Sequence, residues 1–327
     1  MRDLRTLPKA ELHVHLIAAM RPATLAELAA AEGIDAPDPR VFASFADFLL
    51  LFQAPFAVSV ARPENMRRLV REVVADAAAD GVVWVQPHFN PHLFTPLGGP
   101  DEVMELVLSE GVAAGSEYGV GFGLTMEAQR QADPSVVEDL ARFAARYAGH
   151  GVHALGLTGD ELVAPASVFA KAFAIARDAG LTSAPHAGEL AGPWTVRAVV
   201  EELGATRVAH GVRAVEDPAV LEFLASRGVS LDVCPTSNVL LGVAPSLAEH
   251  PLPRLLEAGV RCSLGADDPL MFGVSLSDEY ENARTSMGLT DEQLAGIART
   301  SLETSDAPAA VIADAVAGVD AWLQGRG

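Results

Sequence analysis

Two of the nine histidines, His13 and His15, flank a single valine at the end of an apolar run. On a strand, residues i and i+2 face the same side. Two neutral imidazoles would then converge and supply half of a metal site. Alone, such a spacing is a weak signal. It gains weight because other residues able to do chemistry close further β-rich runs. His186 with Glu189 follows one run, His210 closes another, and Asp267-Asp268-Pro269 follows a third. An apolar interior does not accept so many titratable groups without pairing or coordination. Three histidines and one carboxylate, with water, suit Zn²⁺ or another borderline divalent ion better than Mg²⁺ or Ca²⁺.

The elements that must position these residues alternate in type. Short β-rich runs occupy Ala10–His15, Val82–Phe89, Gly119–Met126, Val152–Leu157, Leu181–His186, Thr206–His210, Val229–Cys234 and Val260–Gly265. Gly81, Gly180, Gly228 and Gly259 stand where preceding helices would close. Between the runs lie helical patterns. Met66, Leu69, Val70, Val73, Val74 and Ala77 form one apolar stripe, and Asp133–Pro134 and Asp217–Pro218 read as helix starts. Eight strands alternating with helices predict parallel βαβ units and an α/β fold closed as a (β/α)8 TIM barrel, one domain over residues 1–327. In such barrels the chemistry sits at the C-terminal strand ends. A doubly wound sheet is disfavoured, because Gly119-Val-Gly121-Phe-Gly123 lies within a strand rather than opening a helix. Residues 21–62 exceed one crossover helix and predict a helical insertion after strand 1, over the barrel mouth. Its Phe42, Phe45, Phe48, Phe52 and Phe56 read as helix core rather than as a purine-stacking lid. Extra C-terminal helices follow from Ser275, two or three in number, with a break at Asp306–Pro308.

Composition sets outer limits. Half the residues are hydrophobic, enough for a large core, which excludes a disordered chain. Net charge −20 disfavours nucleic acid or an anionic membrane as partner. The apolar stretch from Phe48 to Ala61 is broken by Gln53 and Pro55 and falls short of the ~20 residues of a membrane span. The N-terminal segment lacks the apolar core of a signal peptide. Cys234 and Cys262 are too few for a disulfide framework and read as small buried fillers. The expectation is a soluble, cytoplasmic protein acting on a small molecule.

The segments PKAELHVHL, PHAGE, RVAHGV, CPTSN and DDPLMFG, in this order from about Leu7 to Leu302, resemble the adenosine deaminase family of the amidohydrolase superfamily. TGDE at Thr158–Glu161 resembles that family's turn after the fourth strand. The cytidine-deaminase signature is absent. The resemblance implies that His13, His15, His186 and Asp267 hold one Zn²⁺ or similar ion, which makes water acidic enough to attack C6 of a 6-aminopurine. It further implies that His210 orients that water and acts as base, and that Asp268 bonds the water or the purine N7. Glu189 would protonate N1, which needs a carboxylic acid kept protonated near neutrality. Gly159 would present its N–H to N3.

Two departures bear on the substrate. The family has an acid and then glycine after H-x-H-L, where this chain has Ile17, Ala18 and Ala19. Isoleucine cannot pair with a sugar hydroxyl, and an unpaired one costs roughly 1–3 kcal/mol. Adenosine therefore competes as substrate with 5′-modified nucleosides (aminodeoxyfutalosine, 5′-deoxy- or methylthioadenosine) and with free adenine. In the second strand Val85-Gln86-Pro87-His88-Phe89 replaces an arginine-containing run. His88 and His92 are open between substrate contacts and surface histidines; His150, His153 and His250 read as structural. Another amidohydrolase activity, such as a lactonase or cyclic amidase, and an inactive scaffold barrel are the remaining alternatives. The intact polar set argues against the scaffold.

Overall fold

Eight parallel strands form the centre of the computed structural model, which describes residues 2–38, 40 and 45–325. They are β1 (Lys9–Glu11), β2 (Val82–Val85 and His88–Phe89), β3 (Gly121–Phe122 and Leu124–Gln129), β4 (Val152–Thr158), β5 (Thr182–Ser183 and His186–Ala187), β6 (Arg207–His210), β7 (Ser230–Val233) and β8 (Arg261–Leu264). Each of the eight runs expected from the sequence is one of these strands. β2 and β5 are split at Pro87 and Pro185, because proline has no N–H for the ladder. β3 shifts register at Leu124.

Neighbours pair in chain order from β1 to β8. The ring closes just beyond β8, where Val14 bridges Asp267 in parallel. There the Asp267 N–H donates to the His13 carbonyl at 2.9 Å, and the His15 N–H donates to the Asp267 carbonyl at 2.9 Å. The fold is an α/β (β/α)8 barrel.

The expected insertion after β1 is helical, comprising α1 (Pro22–Glu32), α2 (Phe45–Leu51) and α3 (Gln53–Ala61). The crossover α4 (Pro63–Ala79) follows, with all six residues of its apolar stripe buried. The outer ring continues with α5 (Pro100–Tyr118), α6 (Pro134–Arg146), α7 (Ala170–Asp178), α8 (Pro193–Leu203) and α9 (Pro218–Arg227). Asp133 and Asp217 cap α6 and α9 by accepting from Ser135 N and Ala219 N. The short α10 (Pro235–Leu240) and α11 (Leu252–Glu257) lead to β8. α12 (Pro269–Phe272) then precedes three helices from Ser275 onward: α13 (Leu276–Thr285), α14 (Asp291–Glu303) and α15 (Ala309–Leu323). α14 packs on β1 and β8, and the chain breaks between α14 and α15 where Asp306–Pro308 predicts. No described helix is long and apolar enough to cross a membrane.

Beneath the C-terminal rim the barrel interior carries polar groups. Arg207 Nε lies 2.9 Å from Asp232 Oδ2, and Ser263 Oγ donates to Asp232 Oδ1 at 2.6 Å. Gln86, from the run that departs from the family, accepts from Trp84 Nε1 at 3.1 Å and donates to Thr125 Oγ1 at 3.1 Å. The hydrogen bonds of Asp232 and Gln86 satisfy groups that would otherwise be buried at a cost, and the Arg207 charge is paired with the Asp232 carboxylate.

Gly265, just past β8, packs where a Cβ would stand 2.7 Å from both Cβ and O of His13. Gly265→Ala is expected to cost about 1–3 kcal/mol through overpacking. It should lower the thermal midpoint by several degrees and weaken metal retention by displacing His13, both measurable by calorimetry and metal analysis.

Candidate active site

His13 and His15 stand just past β1, His186 opens the second segment of β5, His210 ends β6, and Asp267 and Asp268 follow β8. All six are gathered at the C-terminal rim. His13 Nε2 lies 3.1 Å from His186 Nε2, and Asp267 Oδ1 lies 3.4 Å from both His13 Nε2 and His15 Nε2. Donors bound tetrahedrally at about 2.0–2.1 Å from one ion stand about 3.3–3.4 Å apart. The spacing therefore fits one small divalent cation, and imidazole with carboxylate suits zinc-like ions.

The opposite ring nitrogens of His13 and His15 are already engaged, which turns their free ones inward, whereas His186 Nδ1 has no partner among the described residues. His13 Nδ1 donates to the Asp232 carbonyl at 3.0 Å, and His15 Nδ1 donates to Glu127 Oε2 at 2.7 Å. Arg130 Nη2 donates to the His186 carbonyl at 2.8 Å and holds that strand end. His210 and Asp267 both adopt left-handed backbone, φ 63° and 59°. For side chains other than glycine this costs of order 1–3 kcal/mol and marks sites that the surrounding structure over-determines.

Glu189 Oε1 lies 3.5 Å from His210 Nε2. Its loop is built by Glu161, whose carboxylate accepts from the N–H groups of Gly188, Glu189 and Leu190 at 2.7–2.9 Å and from Thr195 Oγ1 at 2.6 Å. Burial, with the charges of Asp267, Glu161 and Asp268, pushes the Glu189 carboxyl well above its usual range. Burial and the Asp267 charge push Asp268 up as well. Burial opposes ionisation of Asp267, yet His13 and hydrogen bonds from His13 and His15 hold it well below the usual range. Burial and His13 bring His210 down to about 3, so its ring is neutral.

These groups face a cavity of ≈ 620 Å³, ample for a nucleoside-sized ligand. Ile17, His88 and Gly159 also line it. Gly159 has φ +97°, and a Cβ there would stand 2.5 Å from Gln131 Oε1.

The adenosine deaminase family model matches residues 8–322. The chain belongs to the adenosine deaminase family. It is 43% identical over 99% of its length, and 99% of the relative's, to a putative adenosine/adenine deaminase of Streptomyces virginiae. It is 38% identical to the aminodeoxyfutalosine deaminase of Acidothermus cellulolyticus, covering 85% of this chain and 82% of that one. In structure it is similar to an adenine deaminase from Arthrobacter aurescens, with TM-score 0.90, 28% identity and coverage of 97% and 99%. Membership makes it a hydrolytic deaminase acting on C–N bonds, from a metal-dependent family, with a His/Asp cluster able to hold an ion.

Several family-site features escape a reading of motifs. Glu127 at the end of β3 sits in no recognisable segment, so only the structure brings it to His15. His88, left open by sequence, is 3% exposed, with ring centroids 5.0 Å from His15 and 5.4 Å from His186. Burial and the charges of His15 and His13 hold it neutral. His92 is exposed against Phe143 and lies outside the cavity lining. Phe48, Phe52 and Phe56 line the cavity, and Phe48 stacks on Phe272 of α12 at 5.4 Å. They form a mouth wall and are also core, as expected: Phe48 is buried within the hydrophobic core, and Phe52 and Phe56 pack against it. Phe42 and the Phe45 side chain lie outside the described residues. Both cysteines are buried as expected, though Cys234 Sγ comes within 3.2 Å of His13 Nδ1. His250, expected to be structural, is buried and reaches His210 through Asn238.

Glu127→Gln removes the charged acceptor behind His15. We expect metal affinity to fall about 10–100-fold, read by competition with a chromogenic chelator, while the folded state is kept.

Proposed function

We propose that the protein is a zinc-dependent deaminase that hydrolyses a 6-aminopurine nucleoside, adenosine or a close analogue, to the 6-oxo product and ammonia. The observation that carries this reading is Glu189, a buried carboxyl facing His210 beside three converging imidazoles, its pKa pushed well above the usual range by burial and neighbouring carboxylates. Ring-nitrogen protonation needs such an acid; amide or lactone cleavage does not.

His13, His15, His186 and Asp267 would hold the ion. When bound, it supplies a Lewis-acid charge that brings the pKa of water close to 7. His210 orients the incoming oxygen toward C6. Glu189 delivers its proton to N1, which makes C6 electrophilic. Asp268, whose Oδ1 has no partner among the described residues, is placed to accept from the attacking oxygen or to bond N7. Gly159 offers its N–H to N3. The C6–O bond forms, the C6–N bond breaks, and the amine leaves as ammonia after gaining the proton that the attacking water gives up.

A second reading concerns the sugar end. Ile17 lines the cavity together with Phe48, Phe52, Phe56 and Phe94, and no lysine or arginine is among the described lining residues. Glu127, Glu189, Asp267 and Asp268 are all there. This wall favours an uncharged or apolar group at the 5′ end, or free adenine, over a 5′-phosphate, whose charge would find no partner. The relatives named for adenine and aminodeoxyfutalosine fit this range.

Zinc-loaded protein should shift the ultraviolet absorbance of at least one of adenosine, deoxyadenosine, adenine, 5′-deoxyadenosine or methylthioadenosine. AMP should be turned over at least about 10²-fold less efficiently, the consequence of roughly 3 kcal/mol lost on an unpaired charge. No change with any 6-aminopurine sinks the deaminase reading.

Glu189→Gln should keep full metal content and lose about 10²–10⁴-fold in turnover. The wild type should lose activity as pH rises through the raised Glu189 value, because only the protonated acid donates. Near-full turnover in Glu189→Gln would remove Glu189 from the mechanism.

A further inference from the structure

His250 and Asn238 form a hydrogen-bond relay that ends on His210, and its direction is set by a backbone group that cannot reverse. The Leu252 N–H donates to His250 Nδ1 at 3.1 Å. That nitrogen is therefore an acceptor, and the proton of the neutral ring sits on Nε2. His250 is neutral at physiological pH, since burial brings it down to about 4. Its Nε2–H donates to Asn238 Oδ1 at 3.2 Å, which fixes the amide so that Nδ2 faces His210 Nδ1, also at 3.2 Å. His210 Nδ1 must then accept. The single proton of a neutral His210 lies on Nε2, the nitrogen 3.5 Å from Glu189 Oε1 and 3.9 Å from Asp267 Oδ2.

We propose that Asn238 and His250 are positioning residues that lock His210 as the Nε2–H tautomer, so that it meets the incoming oxygen as a hydrogen-bond donor and not as a vacant base. Both relay residues are buried, at 0% and 3% exposure, so water does not supply an alternative partner. The relay spans separate elements, α10 and the turn before α11, and the Asn238 amide bridges the two histidines. A donor at Nε2 fits the reaction, because negative charge grows on the oxygen as it adds to C6. The water proton then passes to the Asp268 carboxylate, whose Oδ1 has no partner among the described residues, and on to the departing amine, which leaves His210 uncharged throughout the attack. This kinetic consequence rests on the deaminase reading; the tautomer itself does not.

The test uses the full chain loaded with Zn²⁺ and labelled with ¹⁵N-histidine. Long-range ¹⁵N–¹H correlation spectra report which ring nitrogen of His210 carries the proton, with His210→Ala giving the assignment. The expected result is Nε2–H in the wild type. Asn238→Asp should move it to Nδ1–H, because a carboxylate accepts, and should lower kcat by an order of 10²–10⁴ with KM little changed. His250→Gln keeps a donor near the Nε2 position and should retain both tautomer and kcat. His250→Leu releases the Asn238 amide and should lose both. An Nδ1–H tautomer in the wild type overturns the proposal, as does equal kcat loss in His250→Gln and His250→Leu, or wild-type kcat in Asn238→Asp. If no 6-aminopurine is turned over, the deaminase reading fails while the spectra still decide the tautomer.

Discussion

The seam that closes the barrel and the convergence of the ligand-type groups are one set of hydrogen bonds. Asp267 accepts from the His15 N–H and donates its own N–H to the His13 carbonyl, both at 2.9 Å, from a left-handed backbone. The same residue thus joins the last strand to the first and lays its carboxylate between two imidazoles. Closure of a parallel barrel requires such a crossing. The strain of the positive φ is carried by the seam on both sides.

Every other part of the site hangs from strand ends that the seam holds in place. Asp232 binds Arg207 through its carboxylate and His13 through its carbonyl, so the polar interior below the rim and the ligand cluster above it share a residue. Glu161 gathers four successive N–H groups of the loop that carries Glu189, a concentration of charge-assisted bonds that fixes the acid's position. The cluster of carboxylates then produces opposite behaviour in neighbours. Despite burial, the surrounding imidazoles leave Asp267 well below the usual carboxylate range, whereas burial beside other carboxylates pushes Glu189 and Asp268 above it. Position relative to the histidines separates base from acid, not residue type.

The insertion over the mouth gives the pocket its apolar character. Phe48 stacks on Phe272, which lies four residues beyond Asp268, so the wall and the rim are tied through α12. With Ile17 among the same lining residues, the cavity combines a cluster of carboxylates and imidazoles with a set of apolar side chains. Such an arrangement suits a flat, basic heterocycle carrying an uncharged substituent.

The sequence by itself determined the architecture and the principal polar residues. Eight β-rich runs with intervening helical stripes have one economical closure, and H-x-H, His186, His210 and the Asp pair all lie at strand ends, where period two and barrel topology dictate their facing. Membership of the adenosine deaminase family was legible for the same reason: its segments are contiguous in the chain. What only the tertiary structure decided are the partners that come from distant segments without a local signature. Glu127 behind His15, Glu161 beneath Glu189, the burial of His88 among the imidazoles and the Asn238–His250 relay each depend on contacts across many residues. No periodicity encodes these, because a hydrogen bond between two side chains constrains where they meet and not where they sit in the chain. The phenylalanines of the insertion show the same limit. Their helical spacing was visible, but whether that face also met the cavity depended on how α2 and α3 crossed the rim, and packing alone decides that.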